Sequence, residues 1–137
     1  MKQYEFLAYD KEKDRLCNVF VLDYFTNSGV TNNRPSHIFV EYYDSLGNCH
    51  RYDNIGDKFE LLEYTGFKDS FGKKIYDGFV VEIGHLGKCV VEWCFADGCW
   101  VFVRKNNDGA EESYSWSDII DFSKNVVGVK FSDKIIL

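Results

Sequence analysis

The stretch that decides the fold runs from Tyr64 to Ile83 and reads YTGFKDSFGKKIYDGFVVEI. Glycines punctuate it at 66, 72 and 78, and Lys68, Lys73 and Lys74 lie between the first and the last of them. A phosphate cradle needs its glycines gathered at the start of a helix, and no helical pattern follows here. Asp69-Ser70-Phe71-Gly72 instead reads as a polar turn in which glycine supplies the permissive φ. Ile75 and Tyr76 give apolar anchorage before Asp77-Gly78 opens a strand. The stretch is therefore an architectural hinge of turns leading into a β-domain.

Outward from that hinge the pattern stays β. Toward the C-terminus, Phe79–Ile83 is a short strand, and Lys88–Phe95 and Cys99–Arg104 flank Asp97-Gly98, a strong hairpin signal. A two-residue loop there places 96 opposite 99 and 94 opposite 101. Cys89, Val91, Trp93, Phe95, Trp100 and Phe102 then share one face, expected to be core, while Val90, Glu92, Cys94, Cys99 and Val101 take the other. A three-residue Ala96-Asp97-Gly98 loop would mix the faces, so the segregation favours the shorter one. Asn106–Gly109 is a further turn, Ser115–Phe122 is expected to form one helical turn capped by Ser115 or Ser117, and Val126–Phe131 is a closing strand with Ile135–Leu137 trailing. Toward the N-terminus, residues 4–9 (YEFLAY) and about Leu16–Phe25 read as strands around the turn Asp10–Asp14. Asn27–Pro35 is loop-rich, and Ile38–Tyr43 and Cys49–Tyr52 form a hairpin across Ser45-Leu46-Gly47-Asn48.

Composition agrees. The 137 residues are 45% hydrophobic and 18% aromatic, with a single proline, and are long enough to bury a core without staples. Tyr, Phe, Val and Ile favour strands, and alanine, the best helix former, is scarce. The expected architecture is mainly β, with a small N-terminal antiparallel subdomain over 1–60 packed on a C-terminal β-subdomain over 61–137. No linker, low-complexity run or clear repeat divides the chain.

Charge narrows the partners. The net charge is −6, split evenly between residues 1–60 and 61–137, so neither half carries the basic stripe that phosphate-backbone binding requires. Duplex nucleic acid is disfavoured, and an acidic surface docking on a basic partner stays open. Met1 leads straight into a strand pattern, with no basic n-region and apolar h-region, and no apolar run reaches the ~20 residues of a membrane span. The expectation is a cytoplasmic protein with no membrane contact. Its five cysteines form no C-x-x-C pair, and the same expectation makes them reduced thiols packed as small hydrophobes.

The search for chemistry finds no constellation. Gly84-His85-Leu86-Gly87-Lys88 fails as a phosphate loop, because Glu82 stands where the first glycine belongs and Cys89 where a Ser or Thr should be. Asn106–Glu112 fails as a calcium loop, because aligning Gly109 to the sixth position puts Arg104 and Ser115 where carboxylates belong. Cys49 and His50 are strand neighbours pointing to opposite faces and cannot both ligate one metal. Cys94 and Cys99 are expected to be diagonal neighbours across their hairpin, with neither zinc nor a disulfide expected between them. No G-x-S-x-G elbow supports a nucleophile. The reading is a non-enzymatic protein with no cofactor, no metal and no catalytic residue.

The hinge also carries a resemblance. Tyr64-Thr65-Gly66-Phe67-Lys68-Asp69, then Gly72-Lys73, Ile75-Tyr76-Asp77-Gly78 and Val80-Val81, resembles the signature segment of the YopX family, in which Y-T-G-L-K-D is followed by N-G-K-E-I-Y-E-G-D-I-V. Tyr4–Glu12 is similar to that family's opening F-R-A-W-D-K-E, and Val126–Val129 with Ile135–Leu137 to its tail. Phe71 stands in place of an Asn, Phe79 replaces an Asp, and the tail lacks its Asn-Pro. The resemblance implies a small phage or prophage protein, mostly β, with an SH3-like barrel in the C-terminal half that opens with the 64–81 motif. It implies host bacterial cytoplasm, no established activity and no catalytic residues. Tyr64, Thr65, Gly66, Lys68, Asp69, Gly72, Lys73, Ile75, Tyr76 and Gly78 are then motif residues with structural roles.

Three functions compete. The first is an accessory protein that binds another protein or itself. The second is a nucleotide or single-stranded nucleic-acid module stacking bases on aromatics, which exposed aromatics beside Lys68, Lys73, Lys74 or Lys88 would favour. The third is a small enzyme, needing His37, His50 or His85 beside a carboxylate or thiol in a cleft.

Overall fold

The computed structural model describes residues 5–23, 37–55 and 59–137, and the loop expected over Asn27–Pro35 lies outside them. The mainly β reading holds: apart from short 3-10 turns, every regular element among the described residues is a strand. The chain divides into two compact units, Met1–Leu62 and Glu63–Leu137.

In the first unit, β1 (Phe6–Asp10), β2 (Arg15–Asp23), β3 (His37–Tyr43) and β4 (Cys49–Ile55) form an antiparallel meander, with β5 (Phe59–Lys68) beside β1. The pairings Ala8 with Cys17 and Val40 with Tyr52 bring alternate residues to one face. Ala8, Cys17, Val40 and Phe59 are buried there, and Val19, Tyr42, Tyr52 and Leu61 pack around them. Burying Val40 or Phe59 in this way stabilises by about 1.5–3 kcal/mol each.

The second unit begins in the later half of β5, which pairs with β6 (Lys74–Tyr76). Its six-stranded sheet contains β7 (Phe79–Ile83), β8 (Gly87–Cys94), β9 (Cys99–Lys105), β10 (Glu111–Ser115), β11 (Lys124–Val129) and β12 (Ser132–Ile136), in the order β10-β9-β8-β7-β11-β12. Among the described residues β10 and β12 do not pair, so this sheet stays open and the expected SH3-like barrel is not closed. The alternation in Phe79–Ile83 buries Phe79, Val81 and Ile83, which join Cys89, Val91, Phe102, Ile119 and Val126 in the core.

Two local expectations change. The Ser115–Phe122 helical turn reduces to a 3-10 turn at Ser117–Ile119. The Ser115 backbone N–H donates to Asp118 Oδ2 at 2.9 Å and the Asp118 N–H returns to Ser115 Oγ at 3.4 Å, a reciprocal cap on a single turn. The β8–β9 hairpin has a four-residue loop, Phe95 to Gly98, closed by a Gly98 N–H to Cys94 O bond of 2.8 Å. Trp93 therefore faces Trp100, and Cys94 faces Cys99 directly rather than diagonally.

Candidate binding surface

The ten motif residues lie along β5, the turn after it, and β6 to Gly78. Tyr64 pairs with Tyr76 across β5 and β6, their rings 5.5 Å apart, and the Lys74 ammonium lies 5.4 Å from the Tyr64 ring centre. Thr65 donates its hydroxyl hydrogen to Ile75 O at 2.7 Å and accepts the Phe67 N–H. Gly66 falls where the register shifts between Tyr64 and Lys68. Ile75 and Tyr76 are buried. Gly78 has φ +79°, and a Cβ there would sit 3.0 Å from the Phe131 ring, so two constraints demand glycine.

Asp69 anchors the turn. Its buried carboxylate accepts backbone N–H bonds from Phe71 at 2.9 Å and Lys73 at 2.8 Å through Oδ1, and from Val126 at 3.1 Å through Oδ2. Its own N–H donates to Lys73 O, and its carbonyl accepts from Gly72 N. Beside it, Ser70 N donates to Lys124 O and Ser70 Oγ accepts from Lys124 N. Backbone donors around this buried carboxyl offset the cost of taking it out of water.

That turn also displays Phe71, 79% exposed, with the exposed Lys68 and Lys73 close in sequence on either side. A pocket of about 280 Å³ opens next to it, with Ser70, Phe71, Glu82 and Lys124 among its walls. The Lys124 ammonium is already held, donating to Ile120 O and Phe122 O at 3.2 and 2.8 Å and lying over the Trp116 ring. Burial lowers its pKa from the ordinary lysine value.

The larger aromatic display is at the tip of the β8–β9 hairpin. Cys89, Val91 and Phe102 occupy the inner face and are buried, as the alternation predicts. Trp93 and Trp100 continue that face, packed edge to face at 5.1 Å, but the expectation that they and Phe95 are core does not hold. Trp93 is 41% exposed, Trp100 half-buried, and Phe95 sits in the turn at 90% exposure. The hairpin carries its last aromatic pair past the packed interior, and Phe95 lies in the loop rather than in the strand. Tryptophan in particular is enriched among the residues that anchor protein–protein contacts.

Other polar side chains are paired as well. Asp10 is buried, accepting N–H bonds from Glu12 and Lys13 and a 2.7 Å hydroxyl bond from Tyr52, whose oxygen lies 3.3 Å from Cys17 Sγ. Burial raises the pKa of both Cys17 and Tyr52. His50 Nε2 bonds Asp44 at 2.9 Å and its ring stacks on Tyr42. That bond and the Asn48 N–H hold the Asp44 carboxyl at about 2. His85 lies edge-on to Phe122, and the side chain of His37 lies outside the described part of the structure. Among the described residues no three His, Cys, Asp or Glu side chains gather as metal ligands, and no helix is long and apolar enough to cross a membrane.

Comparison with known proteins adds a family and a fold. A family model described as YopX protein matches residues 5–131. No curated protein matches. The crystal structure of protein EF1440 from Enterococcus faecalis is similar in fold, with a TM-score of 0.55, 14% sequence identity and 94% of each chain covered.

Proposed function

The chain belongs to the YopX family, and from that premise we propose that it acts without chemistry of its own, by binding another protein or assembling with itself. It is read as an accessory protein of a phage or prophage, working in the host bacterial cytoplasm. The observation that carries the reading is the β8–β9 tip, where Trp93, Phe95 and Trp100 present an aromatic surface to solvent. Aromatic anchors supply large contact area at little conformational cost, which is why they dominate binding hot spots. With a net charge of −6, a basic partner fits best.

The test is affinity capture from infected host cells with wild-type, Phe95→Ala and Trp93→Ala baits, scored for protein and nucleic acid together, with sedimentation of the purified protein for self-assembly. A partner or self-complex held by wild type and lost by Phe95→Ala supports the proposal. Capture and sedimentation unchanged in both variants would remove the tip from consideration.

A second reading rests on Phe71. An exposed aromatic beside Lys68 and Lys73 is the arrangement by which single strands are stacked and their phosphates neutralised. Fluorescence anisotropy of a labelled single-stranded oligonucleotide tests it. Salt-sensitive binding that Phe71→Ala abolishes and Phe95→Ala leaves intact would favour this reading over the first.

A further inference from the structure

Cys94 and Cys99 are direct register partners at the mouth of the Phe95–Gly98 turn. Partner residues of an antiparallel pair leave the same face, with Cα atoms roughly 4.5 or 5.5 Å apart. Both separations lie inside the window of about 4.4–6.8 Å that a disulfide spans. The two thiols are free and half-buried, so a small reagent can reach them. Cys94 Sγ also lies 3.6 Å from Asp97 Oδ2 inside the turn, which places that sulfur at the loop.

No other pair among the five cysteines has this arrangement. Cys17 and Cys89 are buried, on β2 and β8, with pKa values raised by burial. Cys49 is exposed, but its register partner is Tyr43.

We propose that Cys94 and Cys99 form a reversible thiol–disulfide pair, oxidised by a low-molecular-weight disulfide such as oxidised glutathione. The thiolate of one cysteine attacks a sulfur of the small disulfide, forming a mixed disulfide and releasing one small thiolate. The second cysteine, deprotonated, attacks the protein sulfur of that mixed disulfide, forming the Cys94–Cys99 bond and releasing the second small thiolate. Two protons leave the protein thiols and are taken up by the two released thiolates, and the small disulfide is the species reduced. Oxidation closes Phe95–Gly98 into a small covalent ring and pins the strands next to Trp93 and Trp100. The pairing rests on register and access, and it stands whether or not the tip binds a partner.

The experiment incubates the folded full-length chain with excess oxidised glutathione, blocks remaining thiols by alkylation, and maps the protein by proteolysis and mass spectrometry. The expected product has lost two hydrogens, carries a linked peptide joining Cys94 to Cys99, and returns to the starting mass with dithiothreitol. Cys94→Ser should form no internal disulfide and should carry glutathione on Cys99 instead. Stable glutathione adducts on both Cys94 and Cys99 of the wild type, or an internal disulfide surviving in Cys94→Ser, would each overturn the proposal. The wild-type map is decisive even if the variant folds poorly.

Discussion

Truncating the aromatics of the β8–β9 hairpin to alanine, one at a time, should give a steep gradient of stability loss along the strands. Phe102 is fully buried, opposite Val91 and with its ring 6.0 Å from that of Trp116. Removing a core phenylalanine costs about 3–5 kcal/mol, through lost burial and the cavity left behind. Trp93 is 41% exposed, so on the order of 150 Å² of a tryptophan's area is buried. At ~25 cal/mol per Å² that is about 3–4 kcal/mol as an upper bound. Residual compactness of the unfolded chain and the methyl that remains bring it to roughly 2 kcal/mol, including the edge-to-face contact with Trp100. Phe95 is 90% exposed and should cost below ~0.5 kcal/mol, like other surface changes. Urea melts followed by far-UV circular dichroism, which does not depend on the indoles being replaced, measure all three. The gradient is large against a total stability of about 5–15 kcal/mol. If Phe95→Ala costs as much as Phe102→Ala, the tip is not a free surface and the binding proposal loses its basis.

Other outcomes follow from the hinge and the buried thiols. Asp69→Ala should cost about 3 kcal/mol in the same melts, because the buried Val126 N–H loses its acceptor while the Phe71 and Lys73 N–H groups can turn to water; a loss under ~1 kcal/mol would contradict that network. Gly78→Ala should cost more than Gly72→Ala, since both have positive φ but only position 78 meets a ring at 3.0 Å; equal midpoint shifts would refute the steric part. Cys17 and Cys89 have folded pKa values raised above 9.0, so the unfolded chain releases their protons first and stability should fall as pH rises past 9.0. Cys89→Ala should flatten that alkaline decline, by at most about 1.4 kcal/mol per pH unit for the one proton removed, and an unchanged slope would show that the thiol does not contribute. Titration of the denatured protein, isolated without exposure to oxidant, should count all five thiols, with no zinc by elemental analysis; a stoichiometric metal would contradict the reading of these cysteines.

Much of the fold was legible because side-chain period in a strand depends on parity. The hairpin loop is two residues longer than Asp97-Gly98 alone suggests, yet a shift of two preserves every face, so Cys89, Val91 and Phe102 still point inward. Parity gives the face of a residue and says nothing of where the interior ends. Trp93 and Trp100 share the inner face and still run out of neighbours. Phe95 reads as a strand residue from its type, and only the Gly98 N–H to Cys94 O bond shows it to be in the turn. Whether a sheet of the right length closes depends on strand ends and twist, which no short pattern records, and β10 and β12 are left apart. Asp69 looked like an ordinary turn aspartate because its third donor belongs to a distant strand. The burial of Lys124 and Asp10 is hidden for the same reason: it depends on partners that sequence spacing does not reveal.

The Asp69 network makes the 64–78 motif dependent on residues that follow it by a wide margin. Val126 is 57 positions further along, and the Lys124 N–H to Ser70 Oγ bond spans 54. During synthesis the hinge therefore leaves the ribosome well before the strand that completes it. Until β11 arrives, the turn must keep its carboxylate hydrated. Sequence-distant closure of this kind slows folding, because chain entropy is lost before the contact forms. A nascent or truncated chain ending before Lys124 holds the most recognisable segment of the protein in a form that cannot yet be buried. The motif is thus the first part of the second unit to be translated, while its contacts through Asp69 Oδ2 and Ser70 close only once β11 has followed.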